Sequence, residues 1–447
     1  MTAPHRLTVA AAARAVRERR LSSEELTRSL IERVERFDGE LRAWVGVDPE
    51  RAIAEARARD LAPANSRGRL HGVPLGVKDI FDLAGTPTTA GFRPFASRIA
   101  DEDAAAVARL RADGATVLGK TVTTQFAYMD PPPTRNPWSS AHTPGGSSSG
   151  SGAAVAARMV PGALGSQTGG SVLRPAAYCG VVGLKPSYGR VSRRGVLPLA
   201  WTLDHPGVLC RSVEDAALLL QAIAAPDPAD PGCSRRPADD YLAPLDGTRR
   251  PRLLVLDDFL ARARPEARES FERSVAELAA AGARISRAAF PSRAETLIST
   301  HAVVMQAETA SVHRRLLEQH ADEYAPRIRA YVETGMLIPA TDYVDALRLR
   351  RRLRREARDL LATADCLLLP TVSGPAPGPD TTGDPTFQGP FSLLGLPAIT
   401  LPSALTADGL PLGLQLVGPD FGEDALLGAA AWCERVLPPL PVPPGCE

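Results

Sequence analysis

A chain of 447 residues, 44% of them hydrophobic and 23% charged, can bury an extensive core beneath a wetted surface and is long enough for two or three domains. Its 52 basic and 51 acidic residues leave a net charge of +1, which gives no overall electrostatic footprint for nucleic acid. No run of about 18 apolar residues offers a membrane span, and the N-terminal segment MTAPHRLTVAAAARAVRERR lacks a continuous apolar stretch ahead of a cleavage site, so the expected location is the cytoplasm.

In chain order, the first element signal is Ser22 with Glu25, a capping-box pair that predicts a helix start ahead of LTRSLIERVERF. Residues 73–77 read as a short strand buried among apolar neighbours and running into Lys78. Residues 104–113 read as a helix stopped by Gly114, followed by a strand at 116–118. The run GGSSSGSG at 145–152 leads into AAVAARMV, whose high helix propensity makes the run a helix entry rather than a spacer. Composition turns to Pro, Asp and Arg over 225–247, the mark of a surface excursion. A strand at 252–256, a helix at 266–281 closed by Gly282 and a further strand at 366–369 complete an alternation that points to an α/β fold. The basic stretch ALRLRRRLRREARDLL at 346–361 keeps a helical period at Ala346, Leu349, Leu353, Ala357 and Leu360, so its arginines fill a solvated face.

Chemistry concentrates in three places. A phosphate-cradling loop ends in Gly-Lys-Ser/Thr, whereas Gly152 is followed by Ala153 and Ala154, so the serine–glycine run is no nucleotide loop. In SQTGGSVLRP at 166–175, Gly169 and Gly170 ahead of Ser171 let successive N–H groups converge without Cβ interference, as an oxyanion pocket demands. Hydrolysis of an amide also requires a base. His142 sits among Ala141, Thr143 and Pro144 and reads as a turn residue. Lysine can serve where burial keeps its amine neutral, and Lys78 is the candidate; the competing reading is a surface lysine paired with Asp79. Cys179 reads as a small buried thiol with no histidine near it in sequence, and six cysteines without a CxxC pair fit reduced thiols better than a disulfide framework or a metal site.

The segments GVPLGVKD, TRNPWSSAHTPGGSSSGSGAAVAA and GSQTGGSVLRPAAYCGVVGLKPSYGRVS resemble, in order and spacing, the amidase signature family of serine hydrolases, and the likeness continues to PLGLQLVG at 411–418. The resemblance implies a central mixed sheet of many strands covered by helices on both faces. It implies a single domain over 1–447, with N-terminal helices at 1–65, a catalytic core at 66–220 and a variable helical region with the pocket wall at 221–447. It further implies a catalytic set of Lys78, Ser147 after a cis peptide bond and the nucleophile Ser171, with Thr168, Gly169 and Gly170 supplying oxyanion N–H groups. No cofactor, metal, nucleic acid or membrane is expected, the partner being a small amide or carbamate; homodimers are frequent among such proteins.

Two departures from the common Thr-Asp-Thr-Gly-Gly-Ser-Ile-Arg pattern bear on substrate. Gln167 stands in place of the acid and Leu173 in place of the arginine, with Arg174 one position later, which is similar to the malonamidase-like branch. Arg174 then either offers a fork of donors to an anionic or polar acyl group or ties to a buried acid. Phe387 and Phe391 read as an apolar pocket wall or as plain core, in a segment that lacks the acid carried there by the glutaminase subunit of a tRNA-dependent amidotransferase. The expected activity is hydrolysis of a small carboxamide through an acyl-enzyme. The alternatives are carbamate or aryl-amide hydrolysis, an inactive scaffold and the glutaminase subunit.

Overall fold

The computed structural model describes residues 3–246 and 248–447. Met1, Thr2 and Gly247 lie outside the described residues, and with them the first two positions of the N-terminal segment and the last of the 225–247 excursion.

Among the described residues eleven strands form one sheet. They are β1 (Trp44–Val47), β2 (Pro74–Lys78), β3 (Thr116–Thr121), β4 (Gly162–Gln167), β5 (Val182–Lys185), β6 (His205–Cys210), β7 (Arg252–Leu256), β8 (Arg284–Ala288), β9 (Cys366–Pro370), β10 (Ala398–Leu405) and β11 (Pro411–Val417). Their order across the sheet is β1-β3-β2-β4-β6-β5-β10-β11-β9-β7-β8. β2 runs parallel to both β3 and β4, and β7 parallel to β8 and β9, while the remaining pairs are antiparallel. Helices cover both faces, so the sheet is the mixed α/β structure expected. The strands β2, β4, β5, β6, β9 and β11 are accordingly buried along their whole length, and in β9 the run Cys-Leu-Leu-Leu is apolar as well.

Local chemistry sets the helix ends. The Ser22 hydroxyl accepts from Glu25 N–H while the Glu25 carboxylate accepts from Ser22 N–H, closing the capping box at the head of the helix Ser23–Leu41. Gly114 and Gly282 take φ of 96° and 108°, a left-handed backbone that ends the helices Ala105–Ala112 and Pro265–Ala280. The basic segment forms the helix Ala340–Leu361, burying Ala346, Leu353 and Ala357 as the periodicity requires; Arg350 is also buried, donating to the Thr202 hydroxyl and carbonyl.

The parallel trio positions the site. Because Val77 of β2 pairs with Leu164 of β4, both strands finish at the same sheet edge, bringing Lys78 beside the segment that follows Gln167. That is the edge at which α/β sheets gather ligands.

Candidate active site

Lys78 is the last residue of β2 and is fully buried. Its ammonium nitrogen Nζ lies 2.7 Å from Ser147 Oγ and 2.8 Å from Ser166 Oγ, with the Ser166 carbonyl at 3.5 Å. Asp79 pairs with Lys120 at 3.0 Å, so the surface pair of Lys78 with Asp79 does not form. Burial pushes the Lys78 amine far below its ordinary value, opposed only by the charge of Asp204, and so favours the neutral form.

The Gly146–Ser147 peptide is cis, as the resemblance implied. Arg174 Nη2 donates to the Gly146 carbonyl at 2.8 Å, and the Ser147 carbonyl accepts from Thr124 N–H at 3.3 Å, so both carbonyls around this bond are held. Directly after it the chain enters the helix Ser149–Ala156, all of which is buried. Gly165 of β4 faces this turn: a Cβ there would stand 2.9 Å from Ser148 Oγ and 2.6 Å from Leu209 Cδ1, so a larger residue would displace one of those side chains.

Past the end of β4 the segment Thr168-Gly169-Gly170-Ser171 crosses toward the helix Leu173–Cys179. The N–H groups of Gly169, Gly170 and Ser171 have no acceptor among the described residues, while the carbonyls of Thr168, Gly169, Gly170 and Ser171 each accept a hydrogen bond. The Thr168 hydroxyl donates to Asp204 Oδ1 at 2.5 Å, the Thr168 carbonyl accepts from His301 Nε2 at 3.1 Å, and the Gly169 carbonyl accepts from Ser392 Oγ at 2.7 Å. Burial holds His301 down at about 4, so its ring is neutral and its Nε2–H is the donor. Ser171 is 7% exposed; its hydroxyl makes no hydrogen bond among the described residues, and its carbonyl accepts from Ser148 N–H at 3.3 Å. Gln167, the residue that replaces an acid, caps the next helix: Oε1 accepts the N–H groups of Val172 and Leu173, and Nε2 donates to Ser392 Oγ at 3.0 Å.

Gly169, Gly170, Ser171 and Arg174 line a cleft of about 220 Å³. Its walls are mostly apolar, with Ile298 and Met305 on one side and the stacked rings of Tyr128 and Tyr331, 4.4 Å apart, on another. Arg174 is 2% exposed; beyond Gly146 it reaches Thr382 Oγ1 at 3.1 Å, and its Nε and Nη1 have no partner among the described residues. Asp384 lies on the same lining. The pocket wall expected from Phe387 and Phe391 is not theirs. Both are fully buried against Phe259, at ring distances of 6.5 and 5.6 Å, because the segment carrying them turns inward and its Phe387 carbonyl accepts from Gln415 of β11. His142 caps its own turn through Ser139, and burial raises the Cys179 thiol far out of the reactive range. Sequence reasoning missed Ser166, Asp204, His301, Asp384 and Ser392.

The site joins a buried lysine amine to the hydroxyls of Ser147 and Ser166 beside a glycine loop that ends in Ser171. The family model described as Amidase matches residues 25–427, and the chain belongs to that family. It is 38% identical over 444 residues to "Putative amidase AmiD" of Mycobacterium tuberculosis (strain ATCC 25618 / H37Rv), covering 94% of this chain and 92% of the relative. It is also 38% identical to a glutamyl-tRNA(Gln) amidotransferase subunit of Anaeromyxobacter sp. (strain K), covering 98% of each. The native peptide amidase from Stenotrophomonas maltophilia superposes with a TM-score of 0.85 at 30% identity, covering 98% of each chain. The protein is thus an amidohydrolase of the amidase signature family. No helix among the described residues is long and apolar enough to cross a membrane.

Proposed function

We propose that this amidase cleaves the C–N bond of a small carboxamide through Ser171, with Ser147 and Lys78 as its proton relay. The observation that carries the reading is the 2.7 Å approach of a fully buried Lys78 amine, with no carboxylate paired to it among the described residues, to Ser147 Oγ. The neutral amine accepts the Ser147 proton as Ser147 accepts that of Ser171, and Ser171 Oγ bonds to the substrate carbonyl carbon. The carbonyl π pair moves onto oxygen, where the unengaged N–H groups of Gly169, Gly170 and Ser171, and that of Thr168, receive it. Collapse breaks the C–N bond, the departing nitrogen takes its proton back through Ser147, and water repeats the sequence on the acyl-enzyme. Acyl transfer of this kind needs no cofactor, and reduced, unpaired cysteines suit a cytoplasmic site of action.

Arg174 is both tether and anchor in this reading. One nitrogen binds the Gly146 carbonyl, and the two buried nitrogens without partners among the described residues are left for an anionic or strongly polar acyl group in the cleft that Arg174 lines. A second reading has a specific observation behind it: Asp384 stands beside Arg174 on the cleft lining and supplies an acid there, so a zwitterionic amide such as glutamine also suits the cleft. A fluorophosphonate probe is expected to label Ser171, with Ser171→Ala as the unlabelled control, and turnover across short acyl amides, carbamates, anilides and glutamine ranks the substrates. No labelling together with no turnover would sink the hydrolase reading. Arg174→Ala is expected to lose anionic amides far more than neutral ones, and equal loss of both refutes the anchor.

A further inference from the structure

We infer that Asp204 is a positioning residue for the amidase reaction, holding the oxyanion loop by the Thr168 hydroxyl so that the loop's N–H groups face the cleft. The inference rests on the hydrolase reading above. The sheet supplies the juxtaposition: β4 and β6 are antiparallel with Gln167 opposite His205, so the residue after β4, Thr168, meets the residue before β6, Asp204. Asp204 Oδ1 accepts the Thr168 hydroxyl at 2.5 Å, while Oδ2 accepts the N–H groups of Leu199 and Ala200 at 2.8 and 3.0 Å. The two N–H contacts fix the plane of the carboxylate, and the third aims it at Thr168.

Of the three tethers on the loop, His301 and Ser392 bind carbonyls and are neutral. Asp204 alone brings a charge, and burial raises its carboxyl to about 6. The ionisable groups that act on it or feel it are Arg193, which favours its charge, Lys78, Tyr188 and the adjacent His205, whose ring burial keeps neutral. Asp204 also lines a second cleft of about 420 Å³ with Arg193, Trp201 and Asp230, and this cleft shares no lining residue with the substrate cleft. Its proton therefore exchanges with solvent behind the oxyanion loop, by a route that bound substrate leaves open. As pH falls through the Asp204 range the acceptor of the Thr168 hydroxyl is neutralised and the loop loses its strongest tether.

The test is steady-state turnover, over about pH 5 to 9, of an amide the wild-type enzyme hydrolyses. Thr168→Val removes the hydroxyl and is expected to cut kcat by about 10- to 100-fold with KM within about threefold, because the donors act on the transition state. Thr168→Ser restores the hydroxyl and is expected to recover most of that loss. Asp204→Asn is expected to lower kcat and to move the acid limb of the profile to lower pH, which a merely structural residue would not do. Wild-type kcat in Thr168→Val, equal damage in Thr168→Ser, or an unmoved acid limb in a folded Asp204→Asn overturns the inference. If Asp204→Asn fails to fold, the Thr168 pair decides. A wild-type enzyme that neither labels nor turns over any amide condemns the hydrolase reading instead.

Discussion

A lysine buried without a carboxylate beside it costs folding free energy in proportion to its proton affinity. Lys78 is protonated in the unfolded chain below about pH 10, while in the folded chain burial favours the neutral amine. Folding therefore expels a proton, and the unfolded state gains on the folded one as pH falls from that range toward the lowered folded value. Lys78→Met is expected to abolish turnover yet raise Tm by about 1–3 °C at neutral pH, a gain that shrinks as pH approaches 10. Thermal unfolding of both proteins across that range checks the sign.

The two loop glycines differ in what surrounds them. A Cβ on Gly170 would run into the Gln388 amide, meeting Oε1 first with Cδ at 3.2 Å, and that amide cannot turn aside freely because its Nε2 is bound to the Thr371 carbonyl. A Cβ on Gly169 would meet nothing closer than His301 Cε1 at 3.5 Å and Pro385 Cβ at 3.6 Å, both on the cleft lining. Gly170→Ala is expected to lose about 100-fold in kcat through displaced donors, whereas Gly169→Ala raises KM by narrowing the cleft. Steady-state constants on one amide separate the two.

Among elements, the short helix Leu173–Cys179 depends on a side chain from the preceding strand. Gln167 Oε1 serves the N–H groups of both Val172 and Leu173, so Gln167→Leu leaves two buried donors bare and is expected to cost about 1–3 kcal/mol of stability, read by denaturant unfolding. Elements with local punctuation were legible in the sequence. β7 at Arg252–Leu256 falls on the residues expected, and the helices before Gly114 and Gly282 end within a residue of expectation, because glycine marks those stops in the chain itself. β3 runs three residues beyond its expected end because strand pairing with β1 and β2 overrides propensity at Gly119 and Lys120. Lys78, Ser147 and the glycine loop were legible as motifs. Ser166 was not, standing 88 residues from the lysine it binds with nothing in its own neighbourhood to advertise that contact; His301 was hidden likewise, 133 residues from Thr168 in an unremarkable helix. Phe387 and Phe391 misled because an aromatic pair reads the same whether it walls a cleft or fills a core.

Across the whole molecule, one sheet gathers its site from distant stretches of chain. Lys78, Ser147 and the glycine loop come from residues 78 to 171, whereas the cleft is closed by Ile298, His301 and Tyr331 from the helical region and by the segment from Asp384 to Pro390. Ser392 links the halves, accepting from Gln167 and donating to the Gly169 carbonyl. Ser392→Ala is expected to lower kcat by about tenfold with the fold intact, checked by kinetics alongside circular dichroism.

The position of β10 and β11 has a consequence for biosynthesis. This hairpin sits between β5 and β9, so the six-stranded block β1 to β6 and the three-stranded block of β7, β8 and β9 share no ladder except through it. While the ribosome is still translating, the open side of β5 waits for more than two hundred residues before a partner emerges, a bare edge of the kind that chaperones shield and that otherwise recruits neighbours. A chain stopped at residue 397 is expected to collect in the insoluble fraction of expressing cells, whereas one carried through Val417 acquires the strand pair that welds its two blocks into one sheet.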